Sequence, residues 1–174
     1  MEKLQKILVA LIILISLVIG VLRLLCFVYP NTYVLSVKKY AKMYDVPQEL
    51  VFSVIKAESN FDKNAKSLKG AVGLMQIMEP TGKWVAEKIE INDFKKENLF
   101  EPDVNIEIGC FYLSYLLDLY KNDQKCALAA YNAGPANVDK WLKSQKTLEK
   151  IPFPETEEYV KKVTKNIKIY DFLY

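Results

Sequence analysis

Pro47-Gln-Glu-Leu-Val-Phe-Ser-Val-Ile-Lys-Ala-Glu-Ser-Asn-Phe61 is the stretch from which the rest of the chain can be read. Leu50, Val51, Val54 and Ile55 recur at the spacing of one helical face, so the segment predicts an amphipathic helix ending near Glu58. Upstream, Asp45 takes the N-cap place, with Gln48 three residues on in the capping-box position. Position 58 lies three and four residues beyond Ile55 and Val54, so the same face carries Glu58 inward. It also falls in the last turn, where the helix dipole presents negative charge. Both effects disfavour a carboxylate and raise the pKa of the acid. An acid kept protonated near neutrality suits a proton donor of the kind that glycosidic-bond cleavage uses. The competing reading is a helix already frayed at this point, with Glu58 solvated at its end.

Working outward, the same period recurs. Val34, Val37, Ala41 and Tyr44 mark a helix before Asp45. Trp84, Val85 and Ile89 mark a short one after Pro80. Asp103 opens a long helix with Ile106, Cys110, Leu113, Leu117 and Tyr120 on one stripe. Another spans about Gln124 to Tyr131 and stops at Asn132-Ala-Gly-Pro135. Val138, Trp141 and Leu142 mark a further short one, and a last begins near Glu155 with Tyr159, Val163, Ile167 and Tyr170 inward. No segment alternates for long enough to make a convincing strand. The 144 residues from Asn31 to Tyr174 are enough for one core, with no linker between two units. The expected architecture is mainly α with little or no sheet.

Composition excludes several chemistries. The 174 residues include no histidine, so no Ser-His-Asp or Cys-His pair and no His-bearing zinc site can be built. Three cysteines, Cys26, Cys110 and Cys126, fall short of a four-thiolate zinc site. Cys110 and Cys126 lie on different predicted helices, as a disulfide or as two buried thiols. A net charge of +3 gives no basis for a nucleic-acid partner. Acid–base work falls to Asp, Glu, Lys or Tyr.

At the N-terminus, Leu4 to Val28 supplies the roughly 20 apolar residues that a membrane-spanning helix needs, provided Arg23 snorkels to a headgroup. This divides the chain into a signal anchor, residues 1–29, and a helical domain, residues 30–174. The alternative is a cleaved signal peptide. The apolar run is long for one, however, and no A-x-A-like site follows it. The charges on either side, Lys3 and Lys6 against Arg23, Lys38 and Lys39, give little orientation.

Four sequence words occur in order: Val54-Ile-Lys-Ala-Glu-Ser-Asn-Phe61, Gly70-Ala-Val-Gly-Leu-Met-Gln-Ile-Met78, Ala129-Ala-Tyr-Asn-Ala-Gly-Pro135 and Glu155-Thr-Glu-Glu-Tyr-Val160. Pro102-Asp-Val-Asn-Ile-Glu-Ile-Gly109 stands between the second and third. Together they closely resemble the catalytic domain of the soluble lytic transglycosylases of bacterial cell walls, a branch of the lysozyme-like superfamily. The resemblance covers nearly everything from about Tyr33 onward and implies a lysozyme-like fold.

It also implies roles. Glu58 stands at the family's sole catalytic acid/base. Ser67 aligns with a serine that helps to place the N-acetyl group of the cleaved sugar, Gln76 and Met78 with groove-lining residues, and Tyr131 with a tyrosine near the catalytic carboxyl. Asn132 and Glu155 align with cleft positions. Asn132 also reads as a helix terminator, Glu155 as a charge at a helix N-terminus, and Met78 as core. Gly73 reads as a place where the backbone turns close to the substrate. Two departures stand out. Pro80 comes one place later than in the family's second word, which suggests a displaced groove wall. Ala136 replaces a glycine, which would make a left-handed residue there uncomfortable.

The implied reaction uses one acid. Glu58 protonates the glycosidic oxygen between N-acetylmuramic acid and N-acetylglucosamine, then deprotonates the muramic C6 hydroxyl, which closes a 1,6-anhydro ring. No metal or organic cofactor is implied. Asp62, one turn on, is not a family catalytic position. The implied partners are peptidoglycan strands and, through the N-terminal helix, the membrane. The catalytic domain is read as a monomer, either alone or within a wall-spanning apparatus, and as lying outside the cytoplasm. The alternatives are a hydrolytic muramidase and a wall-binding scaffold without turnover.

Overall fold

Nearly every helix start uses a proline or an extended residue, and many of the stops use a residue in the left-handed region. The computed structural model describes residues 1–145 and 147–174. Among these, eight α-helices follow one another: α1 (Glu2–Val28), α2 (Val34–Met43), α3 (Gln48–Glu58), α4 (Glu79–Lys88), α5 (Pro102–Leu119), α6 (Gln124–Ala133), α7 (Pro135–Ser144) and α8 (Pro154–Leu173). A 3-10 turn, Lys96–Phe100, precedes α5. No strand forms among the described residues. Only isolated bridges pair Val72 with Lys66 and with Ile77. The expectation of a mainly helical domain preceded by one apolar helix therefore holds.

Pro102, Pro135 and Pro154 each stand in the first turn of a helix, where a missing N–H costs nothing. Pro80 does the same in α4, which begins at Glu79, so the shifted proline is absorbed by the helix start. The capping-box expectation at Asp45 does not hold. Asp45 has φ +53, and Pro47 is the N-cap of α3, with no side-chain cap. The αL conformation that Asp tolerates is used to leave α2, and proline's fixed φ starts α3 in its place.

The core lies where α3 packs along α8, flanked by α2 on α5 and by α6 against α5, α7 and α8. Leu50, Val51, Val54 and Ile55 are fully buried, as the periodicity requires. Each such side chain contributes about 1.5–3 kcal/mol. On α8, Tyr159, Val163 and Tyr170 point inward and Ile167 is half-buried. Cys110 and Cys126 are buried free thiols, and Cys26 is exposed. None of α1 is buried, and an 18-residue stretch of it has a mean hydropathy of 3.0, enough in length and composition to cross a membrane.

Candidate active site

The end of α3 is held, not frayed. Ser59 N–H closes on Ile55 O at 3.0 Å, and Ser59 Oγ donates to Leu74 O at 2.7 Å. This serine ties the residue after Glu58 to the 73–76 turn. Asn60 (φ +51) and Phe61 (φ +68) then turn the chain away. Lys162 of α8 donates to Ala57 O at 2.7 Å, satisfying a carbonyl at the helix end. The solvated reading of Glu58 fails for these reasons. Burial raises the carboxyl from 4.5 to about 7, and the Tyr159 hydroxyl and the Lys162 charge pull it back only in part. Part of its surface still reaches solvent.

Two tyrosines flank the acid. Tyr131 of α6 donates its hydroxyl to Met75 O at 2.8 Å. Tyr159 of α8 is buried, and its hydroxyl makes no close hydrogen bond among the described residues, but it lies near enough to Glu58 to favour the carboxylate. Both phenols are held well above their ordinary pKa, by burial first and then by the charge of Glu58. Both therefore stay neutral beside it.

The 62–78 segment follows α3 as a series of turns, and its end, Gln76 to Met78, lines the groove. Asp62 Oδ1 accepts from Asn64 N–H at 2.9 Å, so this carboxylate shapes a turn. Ser67 closes the next one. Its N–H donates to Ala71 O at 2.9 Å, and its Oγ accepts from Ala71 N–H at 3.0 Å, on an exposed loop. Gln76 (φ +49) spends its Nε2 on Ala65 O and Gly73 O, at 3.1 and 2.9 Å. Only its Oε1 remains to face a ligand.

Gly73 (φ +80) answers a demand of the fold itself. A Cβ there would lie 2.2 Å from both Asn105 Nδ2 and Leu99 O. The close approach is to α5 and to the 3-10 turn before it. Asn105 is fully buried. It accepts from Met75 N–H at 2.8 Å and donates to Val72 O at 3.1 Å and Leu99 O at 2.7 Å. Gly109, one turn on, leaves room for Met75 Sδ, which a Cβ would meet at 2.2 Å. The fifth sequence word thus holds the second in place.

Gln76, Met78, Tyr131 and Asn132 line one groove of about 210 Å³, joined by Tyr112 and Gly134. Met78 is 40% exposed, so it belongs to the groove and not to the core. Asn132 does not end its helix; Gly134, at φ +87, does. Asn132 Oδ1 instead accepts from the buried Thr156 hydroxyl at 2.7 Å, tying α6 to the start of α8. Ala136 sits in the first turn of α7 and has no positive φ, so the glycine departure costs nothing there. Glu155 is exposed in the first turn of α8 and meets Lys69 of the serine loop at 3.4 Å. A larger cavity, about 620 Å³, opens among Lys125, Lys161, Lys165 and Lys168 and contains none of these residues. The chemistry, not the volume, locates the site.

Sequence reasoning placed Tyr159 in the core and gave Lys162, Ser59 and Asn105 no role. A tyrosine on an apolar stripe has the same spacing whether its hydroxyl meets protein or an active-site acid. The Glu-Ser pair and the polar Asn105 beside the apolar stripe of α5 were the available signals.

With this arrangement in view, the family model for the transglycosylase SLT domain matches residues 36–154. The chain belongs to the transglycosylase SLT family. The soluble lytic murein transglycosylase of Salmonella typhimurium is 36% identical over 154 residues, covering 84% of this chain and 23% of that protein. Membrane-bound lytic murein transglycosylase C of Edwardsiella ictaluri is 30% identical over 125 residues, covering 67% of this chain and 35% of that protein. The solved inactive glutamate-to-glutamine mutant of lytic transglycosylase Slt from Pseudomonas aeruginosa superposes with a TM-score of 0.78 at 35% identity, covering 83% of this chain and 24% of that one. This SLT chain therefore spans about a quarter of the length of its soluble relatives.

Proposed function

We propose that this chain is a membrane-anchored lytic transglycosylase that cleaves the β-1,4 bond between N-acetylmuramic acid and N-acetylglucosamine in peptidoglycan and leaves 1,6-anhydromuramic ends. The observation that carries the reading is Glu58, a half-buried acid raised to about 7 whose charge acts on Tyr131 of the groove. Of the other candidate carboxylates, Asp62 is taken up by a turn and Glu155 sits in solvent against Lys69. Two-carboxylate mechanisms need a second acid at a defined separation. A one-acid cycle does not. Glu58 donates its proton to the glycosidic oxygen. The substrate's N-acetyl oxygen stabilises the cation developing at C1. The Glu58 carboxylate then takes the proton of the muramic C6 hydroxyl, which closes on C1 without water. A group with a pKa near 7 can give and retake a proton at near-neutral pH.

Because the nucleophile belongs to the substrate, the groove has to orient it. Gln76 Oε1, Met78 and Asn132 are the side chains we assign to that task, with Ser67 and Glu155 at the rim and Tyr131 positioning the acid. α1 supplies the anchor and leaves the remaining chain outside the cytoplasm, where peptidoglycan lies. The membrane-bound relative supports an association of this kind. The test is a mass spectrum of muropeptides released from purified sacculi. Anhydro ends, lighter by one water than hydrolysis products, are expected. Reducing ends alone would make the chain a muramidase.

A further inference from the structure

The junction between α1 and the domain is unusually well bonded for a tether. Lys56 Nζ donates to Val28 O at 2.6 Å, capping the last carbonyls of α1, and lies over the Tyr29 ring at 5.3 Å. Tyr170 of α8 donates to Pro30 O at 3.0 Å and meets the Tyr29 ring edge-on at 5.7 Å. Tyr174 donates to Tyr29 O at 2.9 Å. Five contacts from two helices thus grip three consecutive residues at the end of the apolar helix. A cut at Asn31 would remove the partners of both tyrosine hydroxyls, so the domain does draw on the anchor's end.

The last turn of α8 is exposed beside this grip. Phe172 is 71% exposed and Tyr174 50%. Soluble surfaces leave isolated apolar groups exposed as a matter of course. Tyr174, however, is bonded to the end of the apolar helix, and Phe172 lies two residues before it. Leu4 to Val28 is the apolar span, so Tyr29 directly follows its last residue and falls at the edge of the hydrocarbon, in the polar layer of the bilayer. That layer is the depth at which tyrosines concentrate in membrane proteins.

We infer that the domain is seated on the bilayer and not hung from it: the grip on Val28–Pro30 places the C-terminal turn of α8, with Phe172 and Tyr174, in the lipid headgroup layer. This rests on the reading of α1 as a membrane anchor. Lys56 belongs to α3, two residues before Glu58, so the seat also holds the catalytic helix close to the membrane surface. The strands within reach are then those that run near the bilayer.

The test uses the full chain in phosphatidylcholine–phosphatidylglycerol vesicles whose acyl chains are brominated near the headgroup end. Phe172→Trp adds an indole to the two native ones, Trp84 and Trp141, which give the baseline. The expected result is quenching of the added emission by about half or more, as for an interfacial indole, with the native emission little changed. Adding Lys56→Met with Tyr170→Phe, which removes the hydrogen bonds to Val28 O and Pro30 O, should return the Phe172→Trp signal toward the baseline. Flotation of the vesicles reports the anchor separately. A chain that floats but shows no extra quenching, or whose quenching survives the loss of both donors, overturns the seat held by this grip and leaves the anchor standing. A chain that fails to float removes the anchor and the seat with it.

Discussion

Replacing Glu58 by Gln keeps the shape of the side chain and removes the proton. The consequence for stability can be worked from the structure before any activity is measured. Glu58 titrates at about 7 in the folded protein, against 4.5 for an ordinary glutamate, mainly because burial penalises its charge. The folded state therefore holds this proton more tightly than the unfolded chain does. The stability linked to it is complete below about pH 4.5 and is lost as pH rises toward 7. A displacement of that size corresponds to about 3 kcal/mol. Part of the side chain reaches solvent, so about half of that, ~1.5 kcal/mol, is the working expectation. Glutamine does not titrate. Relative to the wild type, Glu58→Gln should be near neutral at pH 4 and stabilised by ~1.5 kcal/mol at pH 8, a few degrees in melting temperature for a chain of this size. Urea unfolding of both chains in detergent at the two pH values measures it. The variant should also lose at least about 10²- to 10⁴-fold in cleavage, because the same group serves both proton transfers. A stability difference independent of pH would show that Glu58 is not strained by burial. Undiminished release of muropeptides would show that another group donates the proton.

The neighbouring residues give further tests. Wild-type activity should fall as pH rises through about 7, since the acid form donates; a rate flat into the alkaline range contradicts this. Tyr159→Phe removes a hydroxyl that makes no close hydrogen bond and only approaches Glu58, so stability should change by less than about 0.5 kcal/mol. Because that hydroxyl lowers the Glu58 pKa, the alkaline limit of activity should move upward, and a downward shift would refute the placement. Asn105→Ala strips three buried hydrogen bonds and leaves Met75 N–H unpaired, at a cost of about 2–4 kcal/mol by denaturant unfolding. Gly73→Ala should be as damaging, since its Cβ would collide with the same side chain.

The helices were legible because each buries a stripe with a 3.6-residue period, and burial follows that period whatever the partner. Leu50 to Ile55 on α3 and Tyr159 to Tyr170 on α8 are found where the pattern puts them. The helix ends were less legible. Asp45 has the chemistry of an N-cap and also the tolerance for a positive φ, and only the packing of α2 against α3 selects the second. Gly73 raised the same ambiguity. A glycine in a turn signals that something comes close, but the sequence does not say whether that is a ligand or, as here, a buried asparagine thirty-two residues later.

The site shows how far sequence order can differ from function. Glu58, Tyr131 and Tyr159 come from three helices, and each is inward-facing on its own stripe. What distinguishes them from core residues is how their polar atoms are satisfied. Tyr131 gives its hydroxyl to Met75 O, so it is anchored to the turn that Asn105 holds. Tyr159 is buried without such an anchor, its hydroxyl approaching only the half-buried Glu58. A buried hydroxyl without a close partner costs stability, and a largely desolvated carboxyl costs more. Two such costs side by side are hard to account for as packing. They are accounted for if both groups are poised for an incoming polar ligand, the glycosidic oxygen and the sugar hydroxyls, that completes their hydrogen bonds only when it is bound.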